Sequence, residues 1–138
     1  MPAVLVDSGP LIALFDGSDR YHVDAVRFIE RHRGPLVSNV AVLTEVCHLL
    51  DFSVSAQQDF LQWAEEVLDL DAETRLDLTR IREVIAKYHD LPADFADASL
   101  VALAERRSLF TVASVDKDFT VYRGATRRRF RNVFFRQG

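Results

Sequence analysis

Apolar residues along this chain fall into two kinds of pattern, short unbroken runs and stripes at helical spacing. The first run, Ala3-Val4-Leu5-Val6, ends in Asp7-Ser8. It is too short to cross a bilayer and lacks a 3.6-residue period, which predicts a buried parallel strand. Ser8 is expected to cap a helix through Gly9–Phe15, with Pro10 tolerated in its first turn. A second helix is predicted over Tyr21–Arg31 and ends at Gly34-Pro35. Leu36-Val37-Ser38 forms the next short strand, and Asn39 is placed to cap a helix over Val40–Leu50. That helix carries an apolar stripe at Val42, Val46, Leu49 and Leu50, with Glu45 at its margin.

Further along, Ser53 or Ser55 opens a helix over Ala56–Leu68, and Leu68-Asp69-Leu70 is a brief strand. Helical spacing continues from Thr74 to Tyr88 and stops at His89-Asp90-Leu91-Pro92. Asp94–Ala104 predicts a helix in which Asp97 heads a buried stripe with Leu100, Val101 and Ala104. Leu109–Ala113 is a strand leading into Ser114-Val115-Asp116, and Asn132–Phe135 is a last strand. Strands alternating with helices imply a parallel sheet covered on both faces. The first and fourth strands both lead into an aspartate. If they are neighbours where strand order reverses, Asp7 and Asp116 meet in the crevice at the carboxyl ends of the strands.

Composition changes this picture little. The 138 residues suit one domain spanning 1–138, and 49% hydrophobic with 28% charged residues is typical of a soluble globular protein. No apolar run is long enough for a membrane span, and no leader peptide is evident. A single cysteine, Cys47, excludes an internal disulfide framework and fits a cytoplasmic protein. Charge is more informative. The net charge is -4, yet from Phe119 onward there are six arginines and no acid, leaving -10 on residues 1–118. Such a basic end suits either a polyanion site or a solvated sheet edge.

Four acids, Asp7, Glu45, Asp97 and Asp116, stand at apolar-to-loop boundaries that this topology brings together. Ser8, Asp94, Ser114 and Asp118 lie beside them as secondary candidates; Asp94 is equally well placed as a plain helix cap. Clustered carboxylates repel unless protons or a cation compensate. An all-oxygen set favours Mg2+ or Mn2+ over zinc, and the four histidines have no zinc spacing. Carboxylate-held magnesium suits phosphate chemistry. Neither GxxxxGK[ST] nor GxGxxG occurs, so hydrolysis is favoured over nucleotide-dependent transfer.

Val4-Leu5-Val6-Asp7-Ser8-Gly9-Pro10-Leu11-Ile12, Leu43-Thr44-Glu45-Val46, Asp94-Phe95-Ala96-Asp97-Ala98 and Ser114-Val115-Asp116-Lys117-Asp118-Phe119 resemble the PIN-domain ribonucleases, above all the VapC toxins of toxin–antitoxin pairs. The resemblance covers nearly the whole chain in order. It implies a three-layer α/β sandwich with a central, mainly parallel, five-stranded twisted sheet. By the same resemblance Asp7, Glu45, Asp97 and Asp116 are the catalytic, metal-binding acids, and Ser8 and Ser114 take the places of hydroxyl residues near the metal. It further implies RNA cleavage with Mg2+ or Mn2+, a homodimer, and inhibition by a VapB-like antitoxin. Arg127, Arg128, Arg129 and Arg131 would contact RNA phosphates, which position the substrate without reading sequence. Two other readings compete. A catalytically inactive PIN-like module that only binds RNA or a partner would gain nothing from clustered negative charge. A phosphatase using Asp7 as nucleophile would need a second acid two residues on, where position 9 is glycine, and a phospho-receiver would need an acidic pair near the first strand, which is absent too.

Overall fold

The computed structural model describes residues 2–91, 93–122 and 128–135. Its centre is a five-stranded sheet of β1 (Val4–Val6), β2 (Leu36–Asn39), β3 (Leu68–Asp71), β4 (Thr111–Ala113) and β5 (Arg131–Asn132), in the order β3-β2-β1-β4-β5. All four pairings are parallel, with Leu5 opposite Val37 on one side and Val112 on the other. β1 and β2 are buried at every residue, as an unbroken apolar run requires once both faces are covered.

Among the described residues six helices make the connections: α1 (Ser8–Phe15), α2 (His22–Arg31), α3 (Val40–Leu49), α4 (Val54–Val67), α5 (Leu78–Lys87) and α6 (Phe95–Arg107). Crossovers of the usual right hand put α1–α4 on one face and α5–α6 on the other. The packing agrees, because α1 touches α2, α3 and α4, whereas α5 packs on α6. Phe15 of α1 meets Phe60 and Trp63 of α4 edge-on, at centroid distances of 5.6 and 5.7 Å. On the far side Arg106 of α6 forks between Asp71, which ends β3, and Asp77, both buried, with contacts of 2.7 and 2.9 Å.

The chain steps from β1 to β2 to β3, then crosses back to β4 on the other side of β1. Strand order therefore reverses between β1 and β4, and a crevice opens beyond their carboxyl ends.

Several elements depart from the sequence pattern. Asp7, not Ser8, is the N-cap of α1: its Oδ1 accepts from the Ser8 amide at 2.8 Å, and Ser8 is already helical. The span Thr74–Tyr88 divides into a 3₁₀ turn over Thr74–Asp77 followed by α5, with Asp77 turned to Arg106 at the junction. α6 is buried on most of its circumference instead of along one stripe. Ala96, Ala98, Ala102 and Ala104 are small enough to let neighbours close around it. The last strand is only Arg131–Asn132, because the Asn132 side chain then bonds the Phe134 amide and bends the chain into a turn. Phe134 is nevertheless fully buried, against Phe28 of α2.

Candidate metal centre

Each acid in the crevice is delivered by a local feature of the chain. Asp7 lies between β1 and α1 and is 3% exposed. Its Oδ1 caps α1, and its Oδ2 accepts from the Ser114 hydroxyl at 2.9 Å. Ser114 follows β4 and is wholly buried; its Oγ also accepts from the Asp116 amide at 2.8 Å. One hydroxyl thus ties the two strand ends together. Asp116 caps a 3₁₀ turn over Lys117–Thr120, accepting from the Asp118 amide at 2.8 Å. Gly9 makes the approach possible. A Cβ there would stand 2.3 Å from Val115 Cγ2, so only glycine lets the loop after β4 settle on α1.

Glu45 projects from α3, half-buried, and accepts from the Ser8 hydroxyl at 2.5 Å. The start of α3 is tied to α6 by Asn39. Its Oδ1 caps α3 through the Val42 amide at 3.0 Å, and its Nδ2 donates to Ser99 Oγ at 3.0 Å. α6 in turn begins at Asp94, which caps it through the Asp97 amide at 2.8 Å. The Asp94 carboxylate also borders Glu45 and Asp97 and raises the proton affinity of both. It is therefore a cap and a neighbour of the cluster at once.

One carboxylate oxygen from each of Asp7, Asp97 and Asp116 lies within 4.8 Å of the others. Among the described residues the hydrogen-bond donors to Asp7 and Asp116 are neutral amides and hydroxyls, and no lysine, arginine or histidine forms an ion pair with any of the three. The electrostatic consequence is large. Burial, reinforced by the charges of Glu45 and Asp116, pushes Asp7 up to about 7. Burial and the charges of Asp7, Asp94 and Asp116 push Asp97 up to about 9. Glu45 and Asp118 are raised as well, chiefly by burial. Among the described residues no cationic side chain offsets this charge, and the cluster's donors are all hard oxygens. It fits a small divalent cation such as Mg2+ or Mn2+, with Asp7, Asp97 and Asp116 within reach of one ion and Glu45 beside them.

A family model described as PIN domain matches residues 4–125. The chain belongs to the PIN-domain family. Its PIN fold is also similar to the crystal structure of Mycobacterium tuberculosis VapC20, a toxin that cleaves the sarcin–ricin loop, with a TM-score of 0.71 and 18% identity. That match covers 86% of this chain and 93% of the other. The chain has no match among curated proteins.

The arginines predicted to bind RNA do not join the acid cluster. Arg127 lies outside the described residues. Arg128 and Arg129 are exposed ahead of β5, and the Arg128 guanidinium sits 4.7 Å above the Phe110 ring. Arg131 pairs with Thr111, at the amino end of β4, whereas the acids stand at the carboxyl ends. Two residues of this PIN domain were not singled out by sequence. Asn132 grips the backbone of Ser114: its Oδ1 accepts from the Ser114 amide at 3.2 Å and its Nδ2 donates to the Ser114 carbonyl at 2.8 Å. Tyr122 is fully buried near the cluster, and burial with the charges of Asp97 and Asp116 pushes its hydroxyl pKa upward. An asparagine entering a strand and a tyrosine in an aromatic stretch carry no local mark of such roles.

Proposed function

We propose that this protein is a metal-dependent endoribonuclease serving as the toxin of a toxin–antitoxin pair. The convergence of three carboxylate oxygens within 4.8 Å at the strand-order reversal, with no cationic side chain among the described residues paired to them, is the observation that carries the reading. Membership of the PIN-domain family and the likeness to a VapC toxin support it. No helix among the described residues is long and apolar enough to cross a membrane, compatible with action on cytoplasmic RNA.

Asp7, Asp97 and Asp116 would hold Mg2+ or Mn2+, which when bound polarises a phosphoryl oxygen and lowers the pKa of a coordinated water. The chain's own residues do the positioning. Ser114 and Ser8 fix the rotamers of Asp7 and Glu45 by donating to them. Glu45, at the open side of the cluster with its proton affinity raised, accepts a proton from the attacking water. The new oxygen–phosphorus bond forms as the bond to the leaving ribose oxygen breaks, and that oxygen takes a proton from solvent. Asp94 keeps Asp97 and Glu45 in register through the start of α6. The exposed Arg128, Arg129 and Arg131 would contact phosphates away from the cut. A VapB-like antitoxin and a homodimer complete the reading.

The test is incubation of purified protein with RNA in Mn2+ or Mg2+, then with chelator, alongside Asp97→Asn. Cleavage that requires the cation and fails in the folded variant supports the proposal. Cleavage that persists in chelator, or in Asp97→Asn at the wild-type rate, overturns it.

A further inference from the structure

A cleft of about 640 Å³ opens directly beside the acid cluster, between the start of α3 and the start of α6. Val40, Ala41, Thr44 and His48 line it from α3 and Phe95 from α6, with Glu45 and Asp94 also in its lining. Its size falls in the range of small-molecule sites. The walls are largely apolar and open: Val40 is 61% and Phe95 47% exposed. The Thr44 hydroxyl donates to the Val40 carbonyl at 2.8 Å, so its oxygen remains available as an acceptor. We infer that this cleft is a nucleobase subsite, in which the base flanking the scissile phosphate stacks on Phe95 against Val40 and Ala41. The inference rests on the nuclease reading above.

Continuity with the cluster is the first argument. Glu45 and Asp94 belong to both places, and Phe95 lies between Asp94 and Asp97 in the first turn of α6. A phosphate drawn to a cation among Asp7, Asp97 and Asp116 would therefore leave its own base within about one helical turn of Phe95. Charge complementarity is the second. An uncharged, flat base with donor and acceptor groups on its edge suits a largely apolar slot bordered by carboxylates, a threonine oxygen and the His48 imidazole. A second copy of this chain suits it poorly, because the copy would set its own acidic body, -10 over residues 1–118, against Glu45 and Asp94. Stacking on an aromatic side chain tolerates any base, so the subsite would strengthen binding broadly and discriminate only through the edge contacts.

The experiment uses the full-length protein, Phe95→Ala and Phe95→Trp, with a short single-stranded RNA. The RNA carries either its natural bases or one abasic residue, placed in turn at each position around the cut. Binding is read by fluorescence anisotropy in Ca2+ and cleavage in Mn2+. At one position the abasic residue should weaken wild-type binding by roughly 5- to 100-fold, the range of base–aromatic stacking. Phe95→Ala should lose the same factor on intact RNA and nothing more on that abasic RNA, Phe95→Trp should restore binding, and Mn2+ affinity should stay unchanged. Equal losses by Phe95→Ala on intact and abasic RNA overturn the subsite. So does a change of oligomeric state in sedimentation that accounts for the loss, which would make the cleft a protein interface. If wild type shows the abasic penalty in binding yet cleaves nothing, the subsite stands and the nuclease reading falls. If it cleaves without any abasic penalty, the reverse holds, and if it binds no RNA, both fall.

Discussion

Replacing Asp7 by asparagine should stabilise the metal-free protein while removing its activity. Asp7 is 3% exposed, and burial raises it from about 3.9 in an unfolded chain to about 7. A raised carboxyl means that the folded state holds the proton more tightly than the unfolded state. The folded protein is thus most stable, with respect to this group, below about pH 4, and loses that stability as pH rises through 7. At about 1.4 kcal/mol per tenfold change, keeping Asp7 ionised at pH 8 costs about 4 kcal/mol. Asparagine removes that cost and keeps the acceptor for the Ser8 amide; its amide group meets Ser114 Oγ where a carboxylate oxygen did. Some of the gain is lost in that exchange, which leaves about 2–4 kcal/mol and roughly 10 °C in melting temperature for a chain of this size. The assay is thermal unfolding of both proteins in chelator from pH 5 to 9, repeated with Mg2+. The variant's advantage should grow with pH, and saturating Mg2+ should erase it by binding the wild type alone, worth about 2.7 kcal/mol at a hundred times the dissociation constant. A variant less stable than wild type at pH 8 without metal would refute the reasoning, because Asp7 would then act as a net stabilising cap.

Four other variants probe separate parts of the site and the fold. Gly9→Ala sets a Cβ 2.3 Å from Val115 and should displace Ser114 and Asp116, lowering RNA cleavage about 100-fold with the fold intact by circular dichroism. Asn132→Ala frees the Ser114 backbone and should weaken Mn2+ binding measured by calorimetry, with kcat falling more than KM changes. Replacing Arg127, Arg128, Arg129 and Arg131 should make the salt dependence of RNA binding shallower, by about 0.7 in slope for each phosphate no longer neutralised; an unchanged slope removes the RNA-binding assignment. Arg106→Ala strands the buried Asp77 and leaves Asp71 only its longer ion pair to Arg107, and should cost about 3–5 kcal/mol in urea unfolding, with little effect on metal affinity.

The acids were legible because each stands where an apolar pattern stops. Asp7 and Asp116 follow strands, Glu45 borders a stripe, and Asp97 opens a helix, so topology alone could bring them together. The alternation of strands and helices implied a parallel sheet but left the adjacency of β1 and β4 a condition, which the structure meets, and the caps at Asn39, Ser53 and Asp94 followed from their side-chain chemistry. What escaped depends on neighbours distant in sequence. The break at Asp77 is set by Arg106, 29 residues away, and the grip of Asn132 by Ser114, 18 residues away. Helical spacing continues through the first, and the second reads as the start of a strand. Asp7 displaced Ser8 as the cap because both residue types cap well, and only the phase of the strand decides between them. The arginines illustrate a different limit: charge along a sequence does not say at which end of a strand it will stand.

If Asp7, Asp97 and Asp116 jointly hold the cation on which RNA hydrolysis depends, anomalous diffraction from crystals soaked in Mn2+ will test it most directly. The expected result is a peak bonded to a carboxylate oxygen of each of the three aspartates, at about 2.0–2.2 Å, and no such peak in Asp97→Asn. A cleavage-competent protein whose Mn2+ binds elsewhere, or touches only one of the three, would contradict it.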